Sequence, residues 1–259
     1  MKFSIVTISY NQAQFLEEAI LSVLNQDGVD VEYIVVDPGS TDGSREIIER
    51  YRERIARAIF EPDHGPADGL NKGFALATGD VFGYLNSDDY FERGAFRRIA
   101  GFFRTNPDVD VLCGAVRIVD SGGKARLRTG IPDHFDLRSF VAGTSWVGQQ
   151  GTFFRREAFE LSRGFRRENR TCWDGELLVD LALAGSRFAV MHRVLGNFRI
   201  HAQSISGSNR LNQQYLLDLE KIRNRLVVAN ITVSRVSSAA FRMMHKANVI
   251  RHFRSLVVR

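Results

Sequence analysis

The sequence predicts an α/β fold: a mostly parallel sheet with flanking helices, followed by a C-terminal helical tail. Three observations predict it. Short apolar runs such as Phe3–Ile8, Val31–Val36 and Val81–Leu85 read as buried strands. Between them, apolar residues recur at helical spacing. Strand and helix therefore alternate, which makes βαβ units and a parallel sheet.

Phe3–Ile8 is the first strand. Phe15, Leu16, Ala19, Ile20, Val23 and Leu24 then mark a helix, with Asn11 as its cap. Val31–Val36 is the second strand, and Pro38–Gly43 is turn chemistry. Ile47, Ile48, Tyr51 and Ile55 mark a second helix, and Ala58–Phe60 a short third strand. A polar loop, Glu61–Gly65, leads to a helix through Leu70 and Phe74 to Ala77, and strand Val81–Leu85 follows. This half reads as Rossmann-like and nucleotide-binding.

The second half is less regular. Glu92–Arg104 reads as a helix and Val109–Val119 as a strand ending at Gly122-Gly123. Residues 125–148 resist assignment and are expected to form a mobile loop. Gly151–Phe154 is a short strand, Trp173–Ala184 a helix, and Phe188–Met191 and Leu195–Ile200 two strands. From Leu211 the pattern is helical, with Leu211, Tyr215, Leu219, Ile222 and Leu226 on one face. The expected division is a body, residues 1–208, and a basic helical tail, residues 209–259.

The chain has 259 residues, 44% hydrophobic and 25% charged, which are ordinary globular values. Cys113 and Cys172 are its only cysteines, which excludes a disulfide scaffold and a cysteine-based metal motif. The net charge of +5 is unevenly spread. Residues 221–259 hold nine Lys or Arg and no Asp or Glu, so the preceding residues carry a net −4. A nucleic-acid-binding body shows the opposite, and no nucleic acid is expected as partner. Phe3–Ile8 is too short for a signal-peptide core, and no stretch approaches the ~20 apolar residues of a membrane span. A cytoplasmic protein is expected. In residues 240–259, Val249, Ile250, Phe253, Leu256 and Val257 oppose Arg251, His252 and Arg254. That basic amphipathic pattern suits a peripheral contact with an anionic membrane, or a helix docked on the body.

Asp37 ends the second strand, Asp63 follows the third, and Asp88-Asp89 ends the fourth. Parallel strands bring these ends to one edge, where open α/β sheets bind ligands. Adjacent carboxylates there suit a hard divalent cation, which can neutralise a diphosphate leaving group. Read singly, each acid is equally a turn former or helix cap. No phosphate-cradling Gly-rich loop follows the first strand, where Ser9-Tyr10-Asn11-Gln12 stands.

A resemblance then becomes specific. Val6-Thr7-Ile8-Ser9-Tyr10-Asn11, Val35-Val36-Asp37-Pro38-Gly39-Ser40, Glu61-Pro62-Asp63-His64-Gly65, Asp68-Gly69-Leu70-Asn71-Lys72-Gly73 and Leu85-Asn86-Ser87-Asp88-Asp89 resemble glycosyltransferase family 2 in order and spacing. The branch resembled builds bacterial exopolysaccharides and O-chains. The resemblance implies a GT-A fold, a nucleotide-diphospho-sugar donor, UDP-sugars being commonest, and Mg²⁺ or Mn²⁺. By position it implies donor contacts at Ser9, Tyr10, Asp37, Asp63, Asp68, Asn86 and Asp88. The family's metal element falls on Asn86-Ser87-Asp88, with Asn86 in place of its first Asp, so metal binding is expected at Asp88 and Asp89.

Inverting transfer needs a carboxylate to take the acceptor's proton. Trp173-Asp174-Gly175-Glu176 resembles the family's acidic motif, with Asp174 as base and Glu176 as the alternative. Arg199-Ile200-His201-Ala202-Gln203-Ser204-Ile205-Ser206 resembles its late Arg-x-His element, which implies that His201 meets the metal or diphosphate. Gln149 and Gln150 are candidates for the acceptor site. The expected function is sugar transfer to a saccharide or lipid-linked acceptor. A silent sugar-nucleotide-binding module and a nucleotidyltransferase are the alternatives.

Overall fold

The computed structural model describes residues 1–128, 134–143, 145–204 and 211–231, with the side chains of 126–128 and 212 outside that description. Residues 240–259 and Ser206, the end of the Arg-x-His motif, lie outside the described residues.

β1 (Lys2–Ile8) lies between β2 (Asp30–Val36) and β4 (Val81–Asn86), and β3 (Arg57–Ile59) flanks β2; all four run parallel. Side chains alternate between faces, so each strand feeds two cores. On one face Phe3, Ile5, Val81 and Leu85 pack with α1 (Ala13–Leu24), α2 (Ser44–Arg50) and α4 (Ala95–Thr105), where Phe3 stacks on Phe96 with centroids 5.3 Å apart. On the other, Val6, Phe82 and Tyr84 meet α3 (Pro66–Phe74), α6 (Arg156–Ser162) and α7 (Trp173–Leu183). Each buried Phe contributes about 1.5–3 kcal/mol over an exposed one. Helix α3 presses directly on β1: a Cβ at Gly73 would sit 2.4 Å from Val6 Cγ1.

The sheet continues through β8 (Thr152–Arg155), β6 (Val111–Val119), β9 (Phe188–Arg199) and β5 (Tyr90–Phe91), and β7 (Ala125–Arg128) pairs with β6. β8 is antiparallel to both β4 and β6, whereas β9 is parallel to β6. The parallel ladders are the longer ones, so parallel pairing dominates, as expected.

Several elements differ from the sequence reading. β9 is one strand rather than two. Its register against β6 shifts around Gly114–Val116, and the exposed pair His192-Arg193 lies at that irregularity. Such a bulge interrupts the apolar pattern without ending the strand. Within 125–148, expected as a mobile loop, the described residues contain β7 and α5 (Leu137–Ala142), the latter capped by Asp136, which accepts from Ser139 N at 2.7 Å. Neither β5 nor α6 is foreseen.

The final described helix, α8 (Asn212–Val228), packs on the body rather than projecting from it. Ile222 and Leu226 join Val141, Cys172 and Val179 in a third core. No helix among the described residues is long and apolar enough to cross a membrane.

Candidate active site

The C-terminal ends of β1, β2 and β4 are stitched side by side. Ser9 N donates to Val36 O at 2.9 Å, Asp37 N to Ile59 O at 2.9 Å, and Ser87 N to Ile8 O at 3.1 Å. Parallel pairing therefore brings Ser9, Asp37 and the Asn86–Asp89 turn to one rim. Three buried oxygens on that rim have no partner among the described residues: Ser9 Oγ, Asp37 Oδ2 and Asn86 Oδ1. A buried polar atom left unpaired costs about 1–3 kcal/mol, so three together mark a rim shaped for a polar ligand.

Asp37 is fully buried, and its Oδ1 accepts from Gly39 N (3.1 Å), Ser40 N (2.8 Å) and Arg45 Nε (3.2 Å). These bonds aim Oδ2 and leave it free. Tyr10, 62% exposed, stands beside Asn11, whose positive φ of 51° carries the chain from β1 into α1. Asn11 Oδ1 accepts from Thr41 N at 2.9 Å, which ties this bend to the loop after β2. Asp63 accepts from Gly65 N at 2.9 Å, and burial together with neighbouring Asp68 raises its pKa. Asp68 is buried under the same loop, accepting from His64 N at 3.0 Å and pairing with Arg167 at 2.9 Å.

The two adjacent acids have different settings. Asp88 is partly exposed, and its Oδ2 lies 3.1 Å from His201 Nε2. Asp89 is buried with both oxygens engaged: Oδ1 accepts from Arg199 N at 2.8 Å and Oδ2 from Gln150 Nε2 at 2.6 Å. Burial and the Asp88 charge push its pKa well up against the pull of those bonds. Gln150, a candidate for the acceptor site, is buried beneath the turn, and Gln149 is buried beside it with Nε2 unpartnered. Among the described residues no three His, Cys, Asp or Glu are grouped to hold a metal ion.

Arg199 is the residue whose importance the sequence reading misses. It is 1% exposed. Its Nε donates to Asp88 O at 2.8 Å, one Nη to Ser121 O at 2.8 Å, and the other pairs with Glu18. Its guanidinium also lies over Phe15, 4.7 Å from the ring centroid, and Phe15 in turn touches the His201 ring at 4.7 Å. Such a planar fork can join several segments at once. The signal in the sequence was its place two residues before His201. Beside it a pocket of about 520 Å³ is lined by Gln14, Phe15, Ser121 and Ile200 to Gln203.

Asp174 is the second residue of α7. Cys172 is the N-cap and makes no side-chain cap bond, so Asp174 is not the cap residue. It is half-buried, and desolvation raises its pKa against hydrogen bonds from the helix amides of Gly175 and Asp174. Burial pushes the Tyr84 phenol on β4 well up, with a further push from the Asp174 charge, and Trp173, the residue before Asp174, packs on Tyr84 with ring centroids 5.7 Å apart. Glu176 faces elsewhere, since residues two apart on a helix differ by roughly 200°. It pairs with Arg225 at 2.6 Å and accepts from Asn169 Nδ2 at 2.9 Å.

Comparison with known proteins bears on the family and the fold. The profile of Glycosyl transferase family 2 matches residues 4–164. An uncharacterized glycosyltransferase of Nostoc sp. is 32% identical over 212 residues, covering 78% of this chain and 65% of that protein. Chondroitin synthase of Pasteurella multocida is 26% identical over 234 residues, covering 90% of this chain and 23% of the synthase. The chain thus spans less than two thirds of either relative. Among solved structures, S. aureus TarS 1-349 in complex with UDP-GlcNAc superposes with a TM-score of 0.71 at 19% identity, covering 98% of this chain and 73% of that one. A mannosyltransferase of Pyrobaculum calidifontis in complex with GDP-Man and Mn²⁺ gives a TM-score of 0.64 at 19% identity, covering 96% and 69%. The shared architecture is the GT-A fold, and the chain belongs to glycosyltransferase family 2.

Proposed function

We propose that the chain is an inverting glycosyltransferase that moves a sugar from a nucleotide-diphosphate donor to a saccharide or lipid-linked acceptor in cell-surface polysaccharide synthesis. The observation that carries this reading is the row of unpartnered buried oxygens at Ser9, Asp37 and Asn86 on one rim. A nucleoside supplies the donors that such a rim lacks. Tyr10 stacks on the base, Asp37 Oδ2 accepts from its N–H, and Ser9 and Asn86 bond ribose hydroxyls. Asp63 and Asp68 shape the loop that closes the far side of this pocket.

The partly exposed Asp88 and His201 are the groups that would hold Mg²⁺ or Mn²⁺. That ion supplies charge neutralisation to the departing diphosphate. Asp89, with both oxygens engaged inside, positions the turn rather than presenting an open ligand face. Asp174 takes the acceptor hydroxyl proton as the acceptor oxygen bonds the anomeric carbon and the bond to the β-phosphate oxygen breaks. Attack opposite the leaving group inverts that carbon. A burial-raised pKa brings the acid closer to the operating pH of a base. Glu176 is committed to its arginine. A peripheral contact between residues 240–259 and an anionic membrane of the cytoplasmic face would bring the enzyme to lipid-linked acceptors.

Two neighbours in fold are described as complexes with UDP-GlcNAc and GDP-Man. Titration calorimetry with UDP and GDP, each with and without Mn²⁺, followed by a sugar-donor panel, tests the proposal. Metal-strengthened binding of one nucleotide is expected in wild type and in Asp174→Asn, with turnover in wild type alone. Absence of nucleotide binding, or full turnover by Asp174→Asn, rejects it.

A further inference from the structure

We propose that Asp218, on α8, is a positioning residue for Asp174: it fixes the backbone of residues 169–172 and so holds the first turn of α7 over the rim. The proposal rests on the reading of Asp174 as base. The contacts involved lie beyond residues 4–164, which the family profile matches.

The segment 169–172 leads directly into α7 and is held by two carbonyl-bearing side chains. Asn169 Oδ1 accepts from Thr171 N at 3.1 Å and from Cys172 N at 2.9 Å. Asp218 Oδ2 accepts from Arg170 N at 3.1 Å and from Thr171 Oγ1 at 2.9 Å. Together these bonds take up the amides of residues 170, 171 and 172 in succession. The α7 N-cap supplies no side-chain bond of its own, so the entry to the helix depends on these outside acceptors.

Asp218 is 1% exposed. Its Oδ1 is anchored on α8 itself, by Gln214 Nε2 at 2.8 Å and Lys221 Nζ at 3.3 Å. One carboxylate thus ties two elements, with one oxygen for each. Rotation of α7 is set separately. Arg225 of α8 pairs with Glu176 and Asp180, and Arg166 pairs with Asp180 at 2.8 Å. With Glu176 and Asp180 fixed toward α8, Asp174 is turned away from that cluster. Tyr215 of α8 also packs against the core that holds Cys172, two residues before the acid. Burial pushes its phenol up to about 12, with further pushes from Cys172 and Asp174.

Small displacements of a catalytic group cost rate without costing donor affinity, because the donor rim is built on other strands. The test uses the full chain. Amide hydrogen exchange reads the brace, and turnover of the most active UDP-sugar together with UDP affinity in Mn²⁺ reads its consequence. In Asp218→Ala, exchange across residues 169–176 is expected to speed about tenfold while residues 2–8 and 81–86 are unchanged. Turnover falls about tenfold or more with UDP affinity intact. Thr171→Val gives a smaller change in the same direction, and Glu220→Gln, on the solvent face of α8, changes neither readout. Should Asp218→Ala fail to fold, Asp218→Asn and Thr171→Val carry the comparison. Unaltered exchange at 169–176 overturns the brace, and equal losses of turnover and UDP affinity overturn positioning. Full turnover by Asp174→Asn rejects the base assignment instead and leaves the exchange result standing.

Discussion

Gln150 Nε2 donates to Asp89 Oδ2 across 2.6 Å, with both side chains buried. The sequence reading sends these two residues to different tasks, one to a metal and one to the acceptor. In the fold they satisfy each other. Asp88, its neighbour, is the acid left partly exposed beside His201.

Asp88→Ala should therefore remove most of the Mn²⁺ enhancement of nucleotide binding. About a tenfold or greater rise in the dissociation constant in Mn²⁺ is expected, with little change in its absence, since a lost charge-assisted contact costs about 1.5–3 kcal/mol. Titration calorimetry checks this. An enhancement equal to wild type would move the metal elsewhere.

Tyr10→Ala should weaken UDP binding by about 1–3 kcal/mol, the worth of stacking one base on an aromatic ring. Because Tyr10 is 62% exposed, its melting temperature should barely move. Unchanged affinity would show that the base lies off this ring.

The raised pKa of Asp174 has two consequences of opposite value. A base works only when ionised, so the acid limb of kcat/KM should lie above the ordinary carboxylate value of about 3.9. The folded state also holds this proton more tightly than the unfolded chain. Its contribution to stability is therefore complete below the ordinary value and is lost as pH rises through the raised one. Asp174→Asn should then be inactive yet melt higher than wild type at pH 7 to 8, with the gain vanishing in acid. Melting curves across pH decide this, and a lower melting temperature at pH 8 contradicts it.

Arg199→Met should destabilise the fold by about 1–3 kcal/mol, since the Asp88 and Ser121 carbonyls lose a donor, while the Glu18 charge left behind is half exposed and adds little. Arg199→Lys should recover only part, because an ammonium cannot span the same acceptors. Urea denaturation measures both, and a near-neutral Lys variant would show that charge alone suffices.

Gly196→Ala tests the packing beneath Asp89. A Cβ there would stand 2.5 Å from the backbone oxygen of Gln150. Overpacking of this kind costs about 1–3 kcal/mol. It should also shift Gln150 from Asp89 and weaken Mn²⁺-dependent binding more than Mn²⁺-free binding, which the same calorimetry reads.

The parallel half of the sheet was readable because Phe3–Ile8, Val31–Val36 and Val81–Leu85 are continuous apolar runs set between helical periodicities. Residues 37 and 86–89 were readable as neighbours on one rim for the same reason, since parallel strands force their ends together. The rest depends on contacts far apart in sequence. Nothing local distinguishes Asp88 from Asp89; Gln150 and Arg199, 61 and 110 residues away, do that. Nothing in Glu176 announces Arg225, 49 residues on. β5 is two residues long, too short to leave a periodicity, and His192-Arg193 hid the continuity of β9 by putting charge at a bulge.

The margins of the sheet bear on self-association. Among the described residues one border is β3, three residues long, the other is β5, two residues long, and β7, four residues long, lies beside β6 off that path, so each offers few free backbone groups to a second molecule. The longer β9 carries its exposed His192-Arg193 pair at the irregular register, where a docking strand would meet charge and distorted spacing. Edge-to-edge stacking into fibrils therefore finds little foothold on this sheet.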